Sequence, residues 1–197
     1  MSSSTLPSEL RGQPWFTLSD ARRSGIPRRH IYQLRNEGSI EQLARGIYQA
    51  TDIIEADPSL IAAAALRPES TLCLTSALAR HDLTDEIPRT NDLALPRGMR
   101  HPKISGPIRW HSFDADTFEI GRNEIEIGAG ISMCLYSPER SIIDAFRLRG
   151  NEGHETANEA LKRWLRRPGS QPSTLLAMAQ KFSRASGPIR QALEILL

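Results

Sequence analysis

The sequence predicts an α+β protein, in which a small N-terminal unit precedes a larger mixed α/β domain that ends in a helical bundle. Three observations support this class. Up to residue 50, Gly and Pro separate two short helical patterns and an alternating hairpin pattern. Short β-rich runs fill the middle of the chain, and from Ser137 apolar residues recur every three or four positions. We therefore expect a loose tail at 1–14, the small unit at 15–50 and the larger domain at 51–197.

Charge is distributed unevenly along the chain. The 197 residues are 39% hydrophobic and 24% charged, which is typical of a globular protein, and the formal net charge is only +2. Residues 11–50, however, carry seven arginines against three acidic residues. The partner of this segment is therefore expected to be negatively charged.

Several classes of protein are disfavoured by what the sequence lacks. Cys73 and Cys134 lie in apolar runs without metal-ligand spacing, so they are predicted to be buried, reduced thiols. The first residues do not resemble a secretory signal, and no apolar run approaches the roughly 20 residues of a membrane span. The histidines show no ligand spacing, and no glycine loop could cradle phosphate. We expect a cytoplasmic protein without cofactor, metal, membrane association or enzymatic activity.

The segment 17–38 carries signals for two helices joined by a tight turn. Thr17 is a predicted N-cap, with Asp20 placed for a capping box. Gly25 ends the first helix, and Pro27 opens a second one that ends at Gly38. The next stretch, SIEQLARGIYQA, alternates apolar and polar residues around a glycine turn and predicts a hairpin. Two helices followed by such a hairpin predict a winged helix-turn-helix.

The second helix has an apolar face and a polar face. Ile31 and Leu34 share one face and are expected to pack on Leu18, Ala21 and Ile47. The opposite face is predicted to meet base edges in the major groove of DNA, through Arg29, Gln33 and Asn36. Contacts with the DNA backbone are predicted for Thr17, Arg22, Arg23, Arg28, His30, Tyr32 and Arg45. The alternative is a helical hairpin with a solvated basic face.

Several stretches resemble a known family. FTLSDARRSGIPRRHIYQLRNEGSIEQLARGIYQ resembles the winged helix-turn-helix domain of AbiEi-type antitoxins, the regulator half of bacterial AbiE-like toxin–antitoxin pairs. LCLTSALARHDLTDEIP, DLALPRG and YSPERSIIDAFRLRG are similar to segments of that family's C-terminal domain. The resemblance extends from about Trp15 to Leu197.

This resemblance implies a DNA-binding antitoxin. It would repress its own operon at inverted repeats and counteract a nucleotidyltransferase-like toxin encoded beside it. In the type IV description the antitoxin need not bind the toxin directly. The alternative is a solitary winged-helix regulator whose C-terminal domain senses a signal or assembles the protein.

Other charged clusters leave two interpretations open. Arg97, Arg100, Lys103 and Arg109 form either a second anion-binding patch or a solvated loop. Arg140 and Asp144 lie four residues apart, which favours an ion pair within a helix over a catalytic carboxylate. A nuclease-like acidic site would need Asp92, Glu124 and Glu126 but lacks any other signature. A third polyanion contact is conceivable at Lys162, Arg163, Arg166 and Arg167.

Overall fold

The computed structural model describes residues 6–52, 56–148 and 154–197, which form two compact units. The first unit contains the described chain up to Ser70, together with Arg100–Ile108 and Ile125–Met133. The second unit contains Thr71–Met99, Arg109–Glu124 and the described residues from Cys134 onward. The predicted α+β class is confirmed, because each unit combines helices with strands.

The first unit has the winged helix-turn-helix order that the sequence predicts. Its elements are α1 (Ser8–Arg11), β1 (Phe16–Thr17), α2 (Leu18–Arg23), α3 (Arg28–Asn36), β2 (Ile40–Ala44), β3 (Ile47–Ala50) and α4 (Pro58–Leu66). The strands form an antiparallel sheet in the order β1-β3-β2, and the β2–β3 hairpin is the wing. Asp57 caps α4 by accepting a hydrogen bond from the Ser59 N–H, with Pro58 in the first turn.

Helices α1–α3 share an apolar core with the sheet. Its buried members are Leu6, Leu10, Phe16, Ala21, Ile26, Ile31, Leu34, Ile40, Tyr48 and Ala50. Leu6 and Leu10 are only 4% and 1% exposed. The segment expected to be a loose tail therefore belongs to the core from Leu6 onward, because two buried leucines supply enough apolar surface to hold it there.

The strand alternation corrects one packing prediction. Ile47 was expected to pack with Ile31 and Leu34, but it lies in a separate cluster with Leu43. Alternate residues of β3 face opposite sides of the sheet, so Tyr48 takes the expected place next to the helices.

The other face of the wing sheet is covered by distant parts of the chain. This cluster contains Leu43, Ala44, Ile47, Ile61, Ala62 and Ile131, with Ile104 and Ile127 partly buried against it. The Ser105 N–H donates to the Leu43 carbonyl at 2.9 Å, and Ala44 bridges Ile104. Segments that the sequence assigns to the larger domain thus complete the core of the first unit.

The remaining elements include the short strands predicted for the middle of the chain and the helices predicted after Ser137. They are β4 (Thr71–Leu72), α5 (Leu74–Arg80), β5 (Asn91–Pro96), β6 (Ile108–Phe113), α6 (Ala115–Phe118), β7 (Arg122–Glu126), β8 (Ser132–Tyr136), α7 (Pro138–Arg147), α8 (His154–Leu165), α9 (Pro172–Ala179) and α10 (Ser186–Leu196). The strands form a sheet in the order β6-β5-β4-β8-β7. Strand β4 pairs antiparallel with β5 and parallel with β8.

Helices α7–α10 form the predicted helical bundle of the second unit. Their buried residues include Ile142, Phe146, Leu161, Trp164, Leu175, Ile189 and Leu193. These positions recur at helical spacing, as the periodicity predicts. Cys73 is buried, Cys134 is half-buried, and both are free thiols.

Arg140 lies at the centre of the second unit and is fully buried. Its guanidinium donates to Asp144 Oδ2 at 2.9 Å and to the carbonyls of Thr117 and Ile120 at 2.6 and 2.7 Å. The rings of Tyr136 and Phe182 lie 4.1 and 4.4 Å from the guanidinium carbon. The predicted Arg140–Asp144 ion pair is thus confirmed, and it has a structural role.

Candidate nucleic-acid interface

The helix-turn-helix is held by an N-cap and a glycine turn. The Thr17 N–H donates to Asp20 Oδ2 at 2.8 Å, and the Asp20 N–H donates to Thr17 Oγ1 at 3.1 Å, which completes the predicted capping box. Hydrogen bonds from the Thr17 hydroxyl and N–H lower the pKa of Asp20. Gly25 has φ of +78°, so the chain turns sharply between α2 and α3.

The predicted base-reading residues lie on the exposed side of α3. Ile31 and Leu34 are completely buried, whereas Arg29, Gln33 and Asn36 are exposed. Arg29 and Asn36 have no hydrogen-bond partner within the described residues. Gln33 donates from Nε2 to Glu37 Oε1 at 2.8 Å, so its amide would have to leave this contact to pair with a base. Arg29 and Asn36 are therefore the readier donors.

Three of the predicted backbone contacts are less available to DNA than the other four. Thr17 is occupied by the capping box, because its hydroxyl both donates to and accepts from Asp20. Arg23 is ion-paired with Asp20, which reduces its attraction for phosphate. His30 is half-buried, and its Nε2 is buried without a hydrogen-bond partner among the described residues. These three side chains are weaker candidates than the sequence alone suggests.

Arg22 and Arg28 remain suited to phosphate. Both side chains are exposed, and both line a cavity of about 430 Å³ between α2 and the start of α3, which Leu18, Ser19 and Pro27 complete. No carboxylate in the described chain forms an ion pair with either guanidinium. Two unpaired cations on one concave surface are an arrangement that favours an anionic ligand.

Tyr32 links two arginines on the flank of α3. Arg28 Nε donates to the Tyr32 hydroxyl at 2.8 Å, and its guanidinium carbon lies 5.3 Å from the ring centroid. The guanidinium carbon of Arg35 lies 5.4 Å from the same centroid. Arg35 Nη1 also donates to Gln42 Oε1 of the wing at 2.9 Å. The sequence predicts no contact for Arg35 or Gln42. The seven residues that separate them cross the turn between α3 and β2, so neither helical nor strand spacing brings them together.

Arg45 lies at the tip of the wing. It is exposed, and Gly46 has φ of +83° and completes the turn. No acidic side chain in the described residues pairs with Arg45. It remains the wing cation predicted to meet phosphate.

Two members of the predicted second basic patch are ion-paired within the protein. Arg97 pairs with Asp114 at 2.9 Å, and Arg109 pairs with the buried carboxylate of Asp92 at 2.6 Å. Arg100 and Lys103 are exposed. The internal ion pairs weaken the case for a common anion site and favour the solvated-loop interpretation.

The structure also gives no support for the nuclease-like acidic site considered from the sequence. Burial raises the pKa of Asp92, but hydrogen bonds from His111 and Arg109 outweigh it and leave that pKa below its usual value. Within residues 6–52, 56–148 and 154–197, no three His, Cys, Asp or Glu side chains form a group that could hold a metal ion. The same residues contain no helix long and apolar enough to cross a membrane.

Comparison with known families decides the nature of the N-terminal segment. Residues 4–51 match the family described as "Transcriptional regulator, AbiEi antitoxin". This segment is therefore similar to AbiEi-type regulators. The resemblance read from the sequence is thus confirmed for this segment, and it supports a DNA-binding regulator. Comparison with curated proteins gives no match.

A solved structure shares the fold of nearly the whole chain. It is the crystal structure of the RV2827C protein from Mycobacterium tuberculosis, with a TM-score of 0.57. The alignment covers 96% of this chain and 78% of that chain at 17% sequence identity. At this identity the likeness concerns the fold alone.

Proposed function

We propose that this protein is the antitoxin and autorepressor of a bacterial toxin–antitoxin pair. It binds double-stranded DNA at its own promoter through α3 and the wing, and it counteracts a nucleotidyltransferase-like toxin. The observation that carries the DNA-binding part is the exposed face of α3, which presents Arg29 and Asn36 without internal partners in a segment matching AbiEi regulators.

We propose a division of labour on this surface. Arg29 and Asn36 read base edges, joined by Gln33 once it leaves Glu37. Arg22, Arg28, Tyr32 and Arg45 contact the sugar–phosphate backbone, with Thr17, Arg23 and His30 as lesser contributors. Inverted repeats would suit this arrangement, because two copies of the domain would then meet two half-sites.

The direct test is a mobility shift with the protein's own promoter and a scrambled duplex of equal length. We expect binding that falls steeply with salt, since Lys and Arg displace counterions from phosphates, and a clear preference for the promoter. Equal affinity for the two duplexes at moderate salt would rule out the proposed function as a repressor of this promoter.

The antitoxin part needs a separate experiment. The full-length variant Arg29→Ala/Asn36→Ala is co-expressed with the product of an adjacent nucleotidyltransferase gene. Growth rescue by this variant would place neutralisation outside the DNA-reading face, whereas its loss would make repression itself the protective activity. The full chain is required, because a fragment starting at Thr51 lacks Leu43 and Ile47, which pack with Ile61 in the first unit.

The absence of any such neighbouring gene would favour a solitary winged-helix regulator. In that case the second unit would sense a signal or assemble the protein, and the DNA experiments would stand unchanged.

A further inference from the structure

Helix α3 has two exposed stripes rather than one. At 100° per residue, Arg29, Gln33 and Asn36 fall within an arc of about 60°, opposite the buried Ile31 and Leu34. A second arc of about 60°, roughly a quarter turn away, is occupied by Arg28, Tyr32 and Arg35. Since Arg35 contacts Gln42, this second stripe is the one on the side of the wing.

The second stripe is already ordered by contacts within the protein. The guanidinium carbons of Arg28 and Arg35 lie 5.3 and 5.4 Å from the centroid of the Tyr32 ring. Arg28 uses only Nε for its bond to Tyr32, and Arg35 uses only Nη1 for its bond to Gln42. Each guanidinium therefore keeps further N–H donors, and neither has an ion-pair partner in the described chain. Two ordered cations with donors to spare are suited to an anion.

The position of this stripe indicates which anion. An α-helix is about 10–12 Å thick with its side chains, and the major groove is about 12 Å wide. When the outward face of α3 points at the bases, residues a quarter turn away adjoin the groove wall. That wall is made of phosphates.

Gln42 fixes the wing end of the stripe. Its Oε1 accepts from Arg35, and its Nε2 donates to the Ala44 carbonyl at 3.2 Å. With both ends of the amide engaged, its orientation is set, and so is the position of the Arg35 guanidinium. Gln42 is uncharged, so any effect it has on salt-dependent binding must pass through Arg35.

We propose that Arg28, Tyr32 and Arg35 form a phosphate-binding ridge on α3, with Gln42 as the positioning residue that holds Arg35 in it. This inference rests on the proposed DNA-binding function and identifies which residues of the same surface bind the DNA backbone. The wing then contributes to binding of the DNA backbone through Gln42 as well as through Arg45.

The experiment measures binding of the full-length protein to a random-sequence duplex between 50 and 200 mM salt. Gln42→Met keeps the net charge but removes both hydrogen bonds. We expect it to lower the salt slope by about one unit, so that its loss of affinity over this range is about three- to fourfold smaller than that of the wild type. Arg35→Ala should lower the slope equally, and the double variant should be no worse than Arg35→Ala alone.

Gln13→Met is the control, because Gln13 is an exposed glutamine of the same unit whose side chain makes no hydrogen bond within the described residues. It should keep the wild-type slope. A wild-type slope in Gln42→Met, or effects of Gln42→Met and Arg35→Ala that add in full, would overturn the ridge. If Gln42→Met unfolds, Gln42→Glu replaces it: the new carboxylate would neutralise Arg35 and lower the slope by at least one unit.

Binding of the wild-type protein to the promoter and random duplexes distinguishes failure of the proposed ridge from failure of the proposed function. If it binds the random duplex but does not prefer its promoter, the repressor fails and the ridge is still tested. If it binds neither duplex, both are overturned. If it prefers the promoter and Gln42→Met changes nothing, only the ridge is lost.

Discussion

Arginines of α3 and arginines of the second unit's core differ in whether the fold supplies them with a carboxylate partner. On α3, Arg28, Arg29 and Arg35 are exposed and have no carboxylate partner in the described chain. In the second unit, Arg140 and Arg147 share the buried Asp144, and Arg109 pairs with the buried Asp92. The contrast shows that a charge count alone does not locate a binding surface. What matters is whether the fold supplies a counter-ion, because an unpaired cation remains available for an external anion.

Removal of the most deeply buried arginine tests the structural half of this contrast. Arg140→Ala leaves Asp144 buried with only Arg147 and frees the carbonyls of Thr117 and Ile120. We expect the free energy of unfolding to fall by about 3–5 kcal/mol, measured by denaturant titration. Arg28→Ala is the control and should change it by less than about 0.5 kcal/mol. Similar losses in the two variants would remove the distinction between the units.

The binding half of the contrast is tested on α3 and the wing. Arg29→Ala should weaken promoter binding and leave random DNA less affected, with about 1–3 kcal/mol of discrimination lost. Arg45→Ala should weaken binding to both duplexes alike and lower the salt slope by about one unit. Titration of each variant against both duplexes at several salt concentrations measures this. If Arg45→Ala instead abolished the preference and Arg29→Ala kept it, the wing would be the reader.

Local signals made the helix-turn-helix predictable from sequence. The Thr17 cap, Gly25 and the Gly46 hairpin each act within a few residues, and all three are found as expected. The burial of Ile31 and Leu34 also follows from helical spacing. Such features depend on neighbours along the chain, which a single sequence displays directly.

Long-range pairing was not predictable in the same way. The covering of Leu43 and Ile47 by residues near 104 and 131 has no local signal, so the first unit was expected to end at residue 50. The pairing of Arg109 with Asp92 likewise depends on two strands that meet in the sheet. The Arg35–Gln42 contact could have been suspected only from the seven-residue path around the α3–β2 turn.

A smaller effect is expected at the cap of α2. Thr17→Ala removes the hydroxyl that accepts from the Asp20 N–H, which should cost about 1 kcal/mol of unfolding free energy at neutral pH. Because the Thr17 hydrogen bonds lower the folded-state pKa of Asp20, their stabilisation is present above the unfolded carboxyl pKa of about 3.9. It is lost as the pH falls through the lower folded value. Denaturant titration of wild type and variant from neutral pH down to this range should therefore show the difference shrinking.

The smallest effect is expected for a half-buried arginine of the second unit that pairs with exposed acids. Arg163 bonds Asp85 and Glu159, and its hydrogen bond to Asp85 lowers the pKa of that carboxyl. The Asp85 side chain is nonetheless 88% exposed, so water replaces the lost contact readily. Arg163→Ala should leave the unfolding midpoint unchanged within error.

Arg147→Ala is the matched comparison, because Arg147 also reaches a carboxylate on its own helix, but that carboxylate belongs to the fully buried Asp144. Its removal should lower the unfolding midpoint measurably, since Asp144 then keeps only Arg140 as a partner. The two variants differ in the burial of the acid that is left behind and not in the type of residue removed. Equal midpoints would mean that burial of the carboxylate does not determine what an arginine contributes to stability in this unit.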